Sequence, residues 1–297
     1  NPDVEIVIPY QAVQVDDILS LQAELNLHPT AVEAAYLIAV KYKHEWLSVL
    51  LAQGDNLKDF SQSIGAHPES IAALYRKLKR IEKLPFFVPQ AKSSNGAVID
   101  QMLEYIDRGI HIIVEFGNYT ATFVYLLIAN IITRRIHTAY IAKTEQFLGS
   151  QKKDLEPQKL MITIEEAHKF LNPQAARQTI FGIIAREMRK YYVSLLVVDQ
   201  RPSGIDEEII SQIGTKVVAQ LNDEKDIQAV LTGIYNANNL RIILASLESK
   251  KQALLLGHAV PMPIVIQTRE YDEAFYRAMM PMVGSKQIEK FVSEMFG

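Results

Sequence analysis

Two adjacent carboxylates, Glu165 and Glu166, follow the apolar run Leu160-Met161-Ile162-Thr163-Ile164. This pattern predicts a strand over 160–164 that ends in the acidic pair, at the C-terminal edge where open α/β sheets bind ligands. Two acids at such a point suit nucleotide hydrolysis. One can hold Mg2+, directly or through water, while the other orients and activates the attacking water. The same residues also suit a strand leading into a helix with an acidic first turn, which the helix dipole favours. His168 reads as part of that helix start rather than as a metal ligand, and the seven histidines show no ligand spacing.

A second constellation lies downstream. At 100° per residue, Ala176, Ile180, Ile183, Ile184 and Met188 share one face of a helix predicted to open at Asn172 and run to 191. Arg186 and Arg189 point the other way. They are either solvated arginines or groups that reach the nucleotide of a neighbouring subunit. A continuous apolar strand over 193–198 follows, and Gln200 stands at its tip. An amide there could sense a terminal phosphate, or could simply begin the turn before Pro202.

The elements that must position these residues fall into two patterns. A short strand over 4–8 closes at Pro9, and then helices dominate. Asp16 or Asp17 could cap a helix through 25, and Thr30 with Glu33 has capping-box spacing for a helix toward 51. Gly54 and Asp55 break it; segments over 57–64 and 69–83 follow, separated by Gly65-Ala66-His67-Pro68. From 110 onward strands and helices alternate: strands over 110–116, 160–164, 193–198 and 216–221, and helices over 119–141, 172–191, 203–213 and 223–231. Strand candidates over 253–256 and 264–266 and a helical tail from 272 complete the chain. Strands apolar on both faces imply an α/β fold, a mostly parallel sheet with helices on both faces, carrying an all-helical insertion. The expected division is a core of 1–10 with 97–270, an insertion of 11–96 and a tail of 271–297.

Composition narrows the classes. The 297 residues are 48% hydrophobic and 22% charged with a net charge of −3, which argues against bulk electrostatic coating of nucleic acid but not against a local basic patch. There is no cysteine, so disulfides and thiol chemistry are excluded. The longest apolar stretch, 123–132, is interrupted by Asn130 and followed by Arg134 and Arg135, so it reads as a buried helix and no membrane partner is expected. Asn1-Pro2-Asp3 has neither an initiator Met nor a signal-peptide pattern; a cytoplasmic location fits, and the chain reads as the later part of a longer protein.

Together, residues 162–170 and 184–203, the run 205–216, Leu255-Leu256-Gly257 and the closing segment 261–266 resemble the HerA–FtsK class of RecA-like P-loop ATPases, and most closely the HerA helicase/translocase family. The resemblance covers about 100–270. It implies ATP and Mg2+ as cofactors, with Glu165 as the Walker B acid at Mg2+ and Glu166 as the catalytic carboxylate. It further implies Gln200 as the sensor and Arg186 or Arg189 as an arginine finger supplied in trans. Members of the family form hexameric rings, homo-oligomers that pull double-stranded DNA through a central pore. They work with a NurA-like nuclease or another effector in DNA repair or antiviral (phage) defence. By analogy, the loops at 172–178 and 201–204 would face the bore, with Lys169, Arg177 or Arg201 meeting DNA phosphates.

The sequence departs from the family at several points. Met188 stands where Gly is usual, Asp199 where Ser or Thr is usual, and Gln220 where an Arg is often found. No G-x-x-x-x-G-K-[ST] occurs; Gly149-Ser150-Gln151-Lys152-Lys153 lacks the glycine spacing of a phosphate cradle. The P-loop is therefore expected outside these residues. A rival reading is a non-enzymatic DNA-binding or scaffold module built on 57–83, which has helix-turn-helix spacing and the cations Arg76, Lys77, Lys79 and Arg80. The preferred reading of that segment is a helical hairpin packed on the core.

Overall fold

The computed structural model describes residues 3–90 and 98–279, apart from 118, 120, 179, 235, 236 and 249. The chain divides into two compact units. One runs up to Gln200 and takes in Gly204–Ile209; the other holds Arg201–Ser203 and the chain from Ile210 onward.

The first unit opens with β1 (Ile8–Pro9) and a run of helices: α1 (Val15–Leu19), α2 (Gln22–Leu25), α3 (Pro29–Tyr42), α4 (Trp46–Leu51), α5 (Leu57–Ile64) and α6 (Pro68–Leu78). The chain then returns as β2 (Phe87–Val88), which pairs in parallel with β1. The helices thus form one long crossover between two short strands. Their apolar faces meet: Ile38, Leu47, Leu50, Ile71, Leu74 and Leu78 are fully buried, and the indole of Trp46 donates to the Val13 carbonyl at 2.8 Å.

Two N-caps differ from expectation. Gln14 precedes α1, and Asp17, at the third helical position, accepts the Gln14 N–H at 2.8 Å; Asp17 is therefore the returning member of a cap, not its first residue. His28 caps α3 by accepting from the Thr30 N–H, with Pro29 at the first helical position. The single helix expected to 51 is broken where Lys43 takes a positive φ of 53°. Gly65, in the left-handed region at φ 76°, ends α5.

Next come α7 (Val98–Asp107), α8 (Thr122–Ser150), β3 (Leu160–Glu165), α9 (Ala175–Gln178), α10 (Ile180–Glu187) and β4 (Val193–Val198). β3 and β4 are parallel and in register from Leu160↔Val193 to Glu165↔Val198. Residues 110–116 form no strand. Among the described residues no strand pairs with them, and Ile113 is 86% exposed. The helix expected over 119–141 runs instead to Ser150, stopping where Gln151 turns left-handed.

In the second unit, β5 (Thr215–Val218), β6 (Gln252–Gly257) and β7 (Ile264–Gln267) form an antiparallel sheet. α12 (Glu224–Leu231) and α13 (Ala237–Ser246) cover it with Ile227, Val230, Leu231, Leu240 and Leu244. Asp223 caps α12 through the N–H groups of Lys225 and Asp226, as its sequence position predicts. α11 (Glu207–Gln212) precedes this sheet and α14 (Glu273–Met279) follows it. The rest of the expected helical tail lies outside the described residues. The described strands thus form three sheets, two parallel pairs and an antiparallel triple, rather than one mostly parallel sheet.

One face of β3 and β4 stays open. Paired residues of parallel strands share a face. The face carrying Met161, Thr163, Glu165, Ser194, Leu196 and Val198 is uncovered, with Met161, Leu196 and Val198 60%, 43% and 46% exposed.

The deepest polar feature of the first unit joins α1 to α8. The fully buried Asp17 accepts from Asn130 Nδ2 at 2.8 Å, Arg134 Nε at 3.0 Å and Arg134 Nη2 at 2.8 Å. Burial pushes the Asp17 carboxyl up, against the pull of Arg134 and of the hydrogen bonds from Gln14 and Asn130. Removing one member strands the other in a low-dielectric interior. Asp17→Ala is therefore expected to cost about 3–5 kcal/mol, read as a lowered urea midpoint at unchanged slope.

Candidate functional site

The parallel register of β3 and β4 brings their C-terminal ends to one edge. Glu165, the last residue of β3, lies opposite Val198, so the residues that follow each strand, Glu166 and Asp199-Gln200, leave the sheet side by side. Glu165 shares the uncovered face with Met161, Leu196 and Val198, and its carboxylate is exposed. Glu166 turns sharply, with φ 50° and ψ 44°. A non-glycine residue in this region is strained, and such strain collects at functional turns. The turn begins a 3-10 helix, Ala167–Lys169, and leaves the Glu166 side chain about half exposed.

The residue that organises the edge is one that sequence reasoning discounted. His168 donates its backbone N–H to Asp199 Oδ2 at 2.7 Å, and its Nδ1 lies 2.9 Å from the same oxygen. The Asp199 side chain is only 3% exposed. His168 Nε2 lies 3.9 Å from Glu166 Oε2. The other side of the imidazole residue is walled by Gly204, where an added Cβ would stand 3.1 Å from the His168 Cβ. The Asp206 N–H donates to the Leu171 carbonyl at 2.7 Å, tying this segment to the loop behind Glu166. The departure at Asp199 was the available signal: a carboxylate whose side chain is buried needs donors, and His168 supplies two.

Gln200 is exposed one residue beyond Asp199. The structure therefore gathers Glu165, Glu166, His168, Asp199 and Gln200 at one edge. Arg186 and Arg189 are arranged otherwise. They line an open cavity of about 500 Å3 with Glu187 and Lys190, and Arg186 Nη1 lies 3.7 Å from Glu208 Oε2. The continuous helix expected over 172–191 does not form. Asn172 does accept from the N–H groups of Gln174 and Ala175, but α10 ends at Glu187, and Arg189 falls in a 3-10 turn, Met188–Tyr191. Arg186 and Arg189 thus sit on different elements. Lys169 is exposed in the turn after Glu166, Arg177 lies in α9, and Arg201 is exposed after Gln200.

No group of three or more acidic or histidine side chains that could by itself enclose a metal occurs among the described residues. Mg2+ is commonly held by one or two carboxylates, with substrate phosphates completing its shell. Glu165 is an exposed carboxylate of that kind.

The segment resembling a helix-turn-helix forms α5, a turn and α6, and α6 packs Ile71, Leu74 and Leu78 inward. Three of its four cations at 76–80 have partners. Lys79 pairs with Glu82 at 2.7 Å, Arg80 stacks 5.1 Å over the Phe123 ring, and Arg76 bonds the Ala72 carbonyl of its own helix.

No protein-family model matches the chain. Curated relatives do. The DNA double-strand break repair helicase HerA of Pyrococcus furiosus is 33% identical over 133 residues, 43% of this chain and 24% of that protein. HerA of Saccharolobus solfataricus is 32% identical over 135 residues, 44% and 27% respectively. The chain spans about a quarter of the length of the curated relatives it matches. VirB4 of Thermoanaerobacter pseudethanolicus, a solved structure, superposes on 89% of this chain and 74% of its own with a TM-score of 0.46 and 13% identity, a likeness too loose to define the fold. By sequence, then, the chain is similar to HerA helicases over about four-tenths of its length. No described helix is long and apolar enough to cross a membrane.

α10 reaches its position because Gly182 lets it touch the backbone of α9: a Cβ there would stand 1.9 Å from the Ala176 carbonyl oxygen. Backbone cannot yield as a flexible side chain does. Gly182→Ala should destabilise the first unit by about 1–3 kcal/mol or more, measured by thermal or urea unfolding, even though alanine raises helix propensity.

Proposed function

We propose that this chain carries part of the ATP-hydrolysing machinery of a HerA-like DNA translocase or helicase. One observation carries the reading. Two consecutive carboxylates end a strand at the same edge as Asp199 and Gln200, in a chain about one-third identical to HerA helicases over that relation. In this reading 1–10 and 97–270 contribute to a RecA-like core, 11–96 is an inserted helical layer and 271–297 a tail. The phosphate cradle, which none of these residues supplies, comes from a segment outside them.

The chemistry follows from the side chains. Phosphoryl transfer needs little covalent help and much positioning. Glu166 takes hydrogen bonds from the attacking water and draws off its proton. Glu165 anchors Mg2+, which when bound neutralises charge on the transferred phosphoryl group. Gln200 reads the terminal phosphate. Arg186 or Arg189 crosses from a neighbouring subunit of a homo-oligomeric, hexameric ring. Double-stranded DNA in the bore meets Lys169, Arg177 or Arg201, and a NurA-like nuclease or another effector acts on what the ring delivers, in DNA end processing or phage defence. The partners of Arg76, Lys79 and Arg80 favour this reading over DNA binding through 57–83.

Glu166→Gln keeps size and hydrogen bonding but removes the base. In the full-length protein ATP affinity should persist while turnover falls about 10²–10⁴-fold; wild-type turnover would refute the assignment. Subunit mixing checks the arginines. Combining Arg189→Ala or Arg186→Ala subunits with Glu166→Gln subunits should restore part of the lost hydrolysis, because an arginine finger worth about 10³–10⁵ in rate is then intact at some interfaces. Intact oligomers with no recovery in either mixture would exclude catalysis in trans.

A further inference from the structure

We infer that His168 and Glu166 jointly hold the attacking water and that Asp199 is the positioning residue that fixes the imidazole for this task. The inference rests on the reading of Glu166 as the water-activating carboxylate and adds two residues to it.

The argument begins with Asp199. A carboxylate has no hydrogen to give, so the 2.9 Å contact between its Oδ2 and His168 Nδ1 requires the hydrogen on Nδ1. The same oxygen also takes the His168 backbone N–H, so ring and main chain are gripped together. The Asp199 side chain is buried, and Gly204 packs against the His168 Cβ from another side.

With Nδ1 occupied, the neutral ring has one open nitrogen, Nε2, a hydrogen-bond acceptor. It faces another acceptor, Glu166 Oε2, at 3.9 Å. Two acceptors at that separation are too far apart for a direct hydrogen bond and suit a bridging molecule that donates to both. A water donating one hydrogen to Glu166 and the other to Nε2 keeps its lone pairs directed away from both, as a nucleophile requires. Glu166 remains the proton acceptor; His168 removes one rotational freedom from the water. The left-handed backbone at Glu166 brings its carboxylate back toward the ring two residues on.

Two measurements test this. The first needs no ATP. In the 297-residue chain, nitrogen-detected NMR at a pH where the ring is neutral should find His168 in the Nδ1–H tautomer, and Asp199→Asn should relax that preference. The Nε2–H tautomer in the wild-type chain overturns the inference. The second uses the full-length protein. His168→Asn keeps an amide near Nδ1 for Asp199 but lacks any atom at Nε2. It should melt like wild type and bind a fluorescent ATP analogue normally, yet lose turnover about 10–100-fold. His168→Gln, whose amide oxygen reaches the Nε2 position, should recover part of that loss. In a Glu166→Gln background, His168→Asn should cost nothing further. Wild-type turnover in His168→Asn while Glu166→Gln is inactive overturns this inference alone; wild-type turnover in Glu166→Gln removes the function on which it rests.

Discussion

A fully buried carboxylate governs the first unit. Asp17 is held by the Gln14 main-chain N–H at the head of its own helix and, from α8, by the Asn130 amide and the Nε and Nη2 of Arg134. Arg134 also bonds the Ala12 carbonyl, and Asn130, while donating to Asp17, accepts from the Ile180 N–H at the start of α10. A buried charge tolerates no loose fit, because each unsatisfied lone pair costs free energy that packing cannot return. The register of α1 against α8, and of α8 against α10, is therefore set by polar geometry inside an otherwise apolar layer. This also accounts for the asparagine and arginine that interrupt the most apolar stretch of the chain.

From that hub the route to the candidate site is short. α10 carries Arg186, and the 3-10 turn that follows it leads into β4, whose last residues place Asp199 and Gln200 beside Glu165 and Glu166. The same two strands leave one face open, with Met161, Leu196 and Val198 in solvent and Glu165 on that face. Runs that read as doubly buried strands are thus covered on one face and open on the other.

Where expectation and structure differ, the difference lies in contacts distant in sequence. Residues 110–116 have the composition of a strand, yet a strand exists only where a neighbour accepts its hydrogen bonds, and no described strand does. Asp16 and Asp17 both looked like helix caps. Only the arrival of Asn130 and Arg134, more than a hundred residues later, decides that Asp17 turns inward. His168 looked like an ordinary helix start until Asp199, from the next strand, took both of its N–H groups.

The sequence alone determined what depends on near neighbours. It placed β3 and β4, the acidic pair at the strand end, the caps at Asn172 and Asp223, the turn at Gly65 and the relation to HerA helicases. These follow from periodicity, propensity and short-range hydrogen bonding, which a linear string records directly. The tertiary structure decided which strands pair and which face stays open. It also decided where α10 stops and which of several carboxylates are buried, paired or free to act. Those outcomes depend on desolvation and on donors from distant positions. The same aspartate is a solvated surface charge or a buried anchor according to what the fold brings against it.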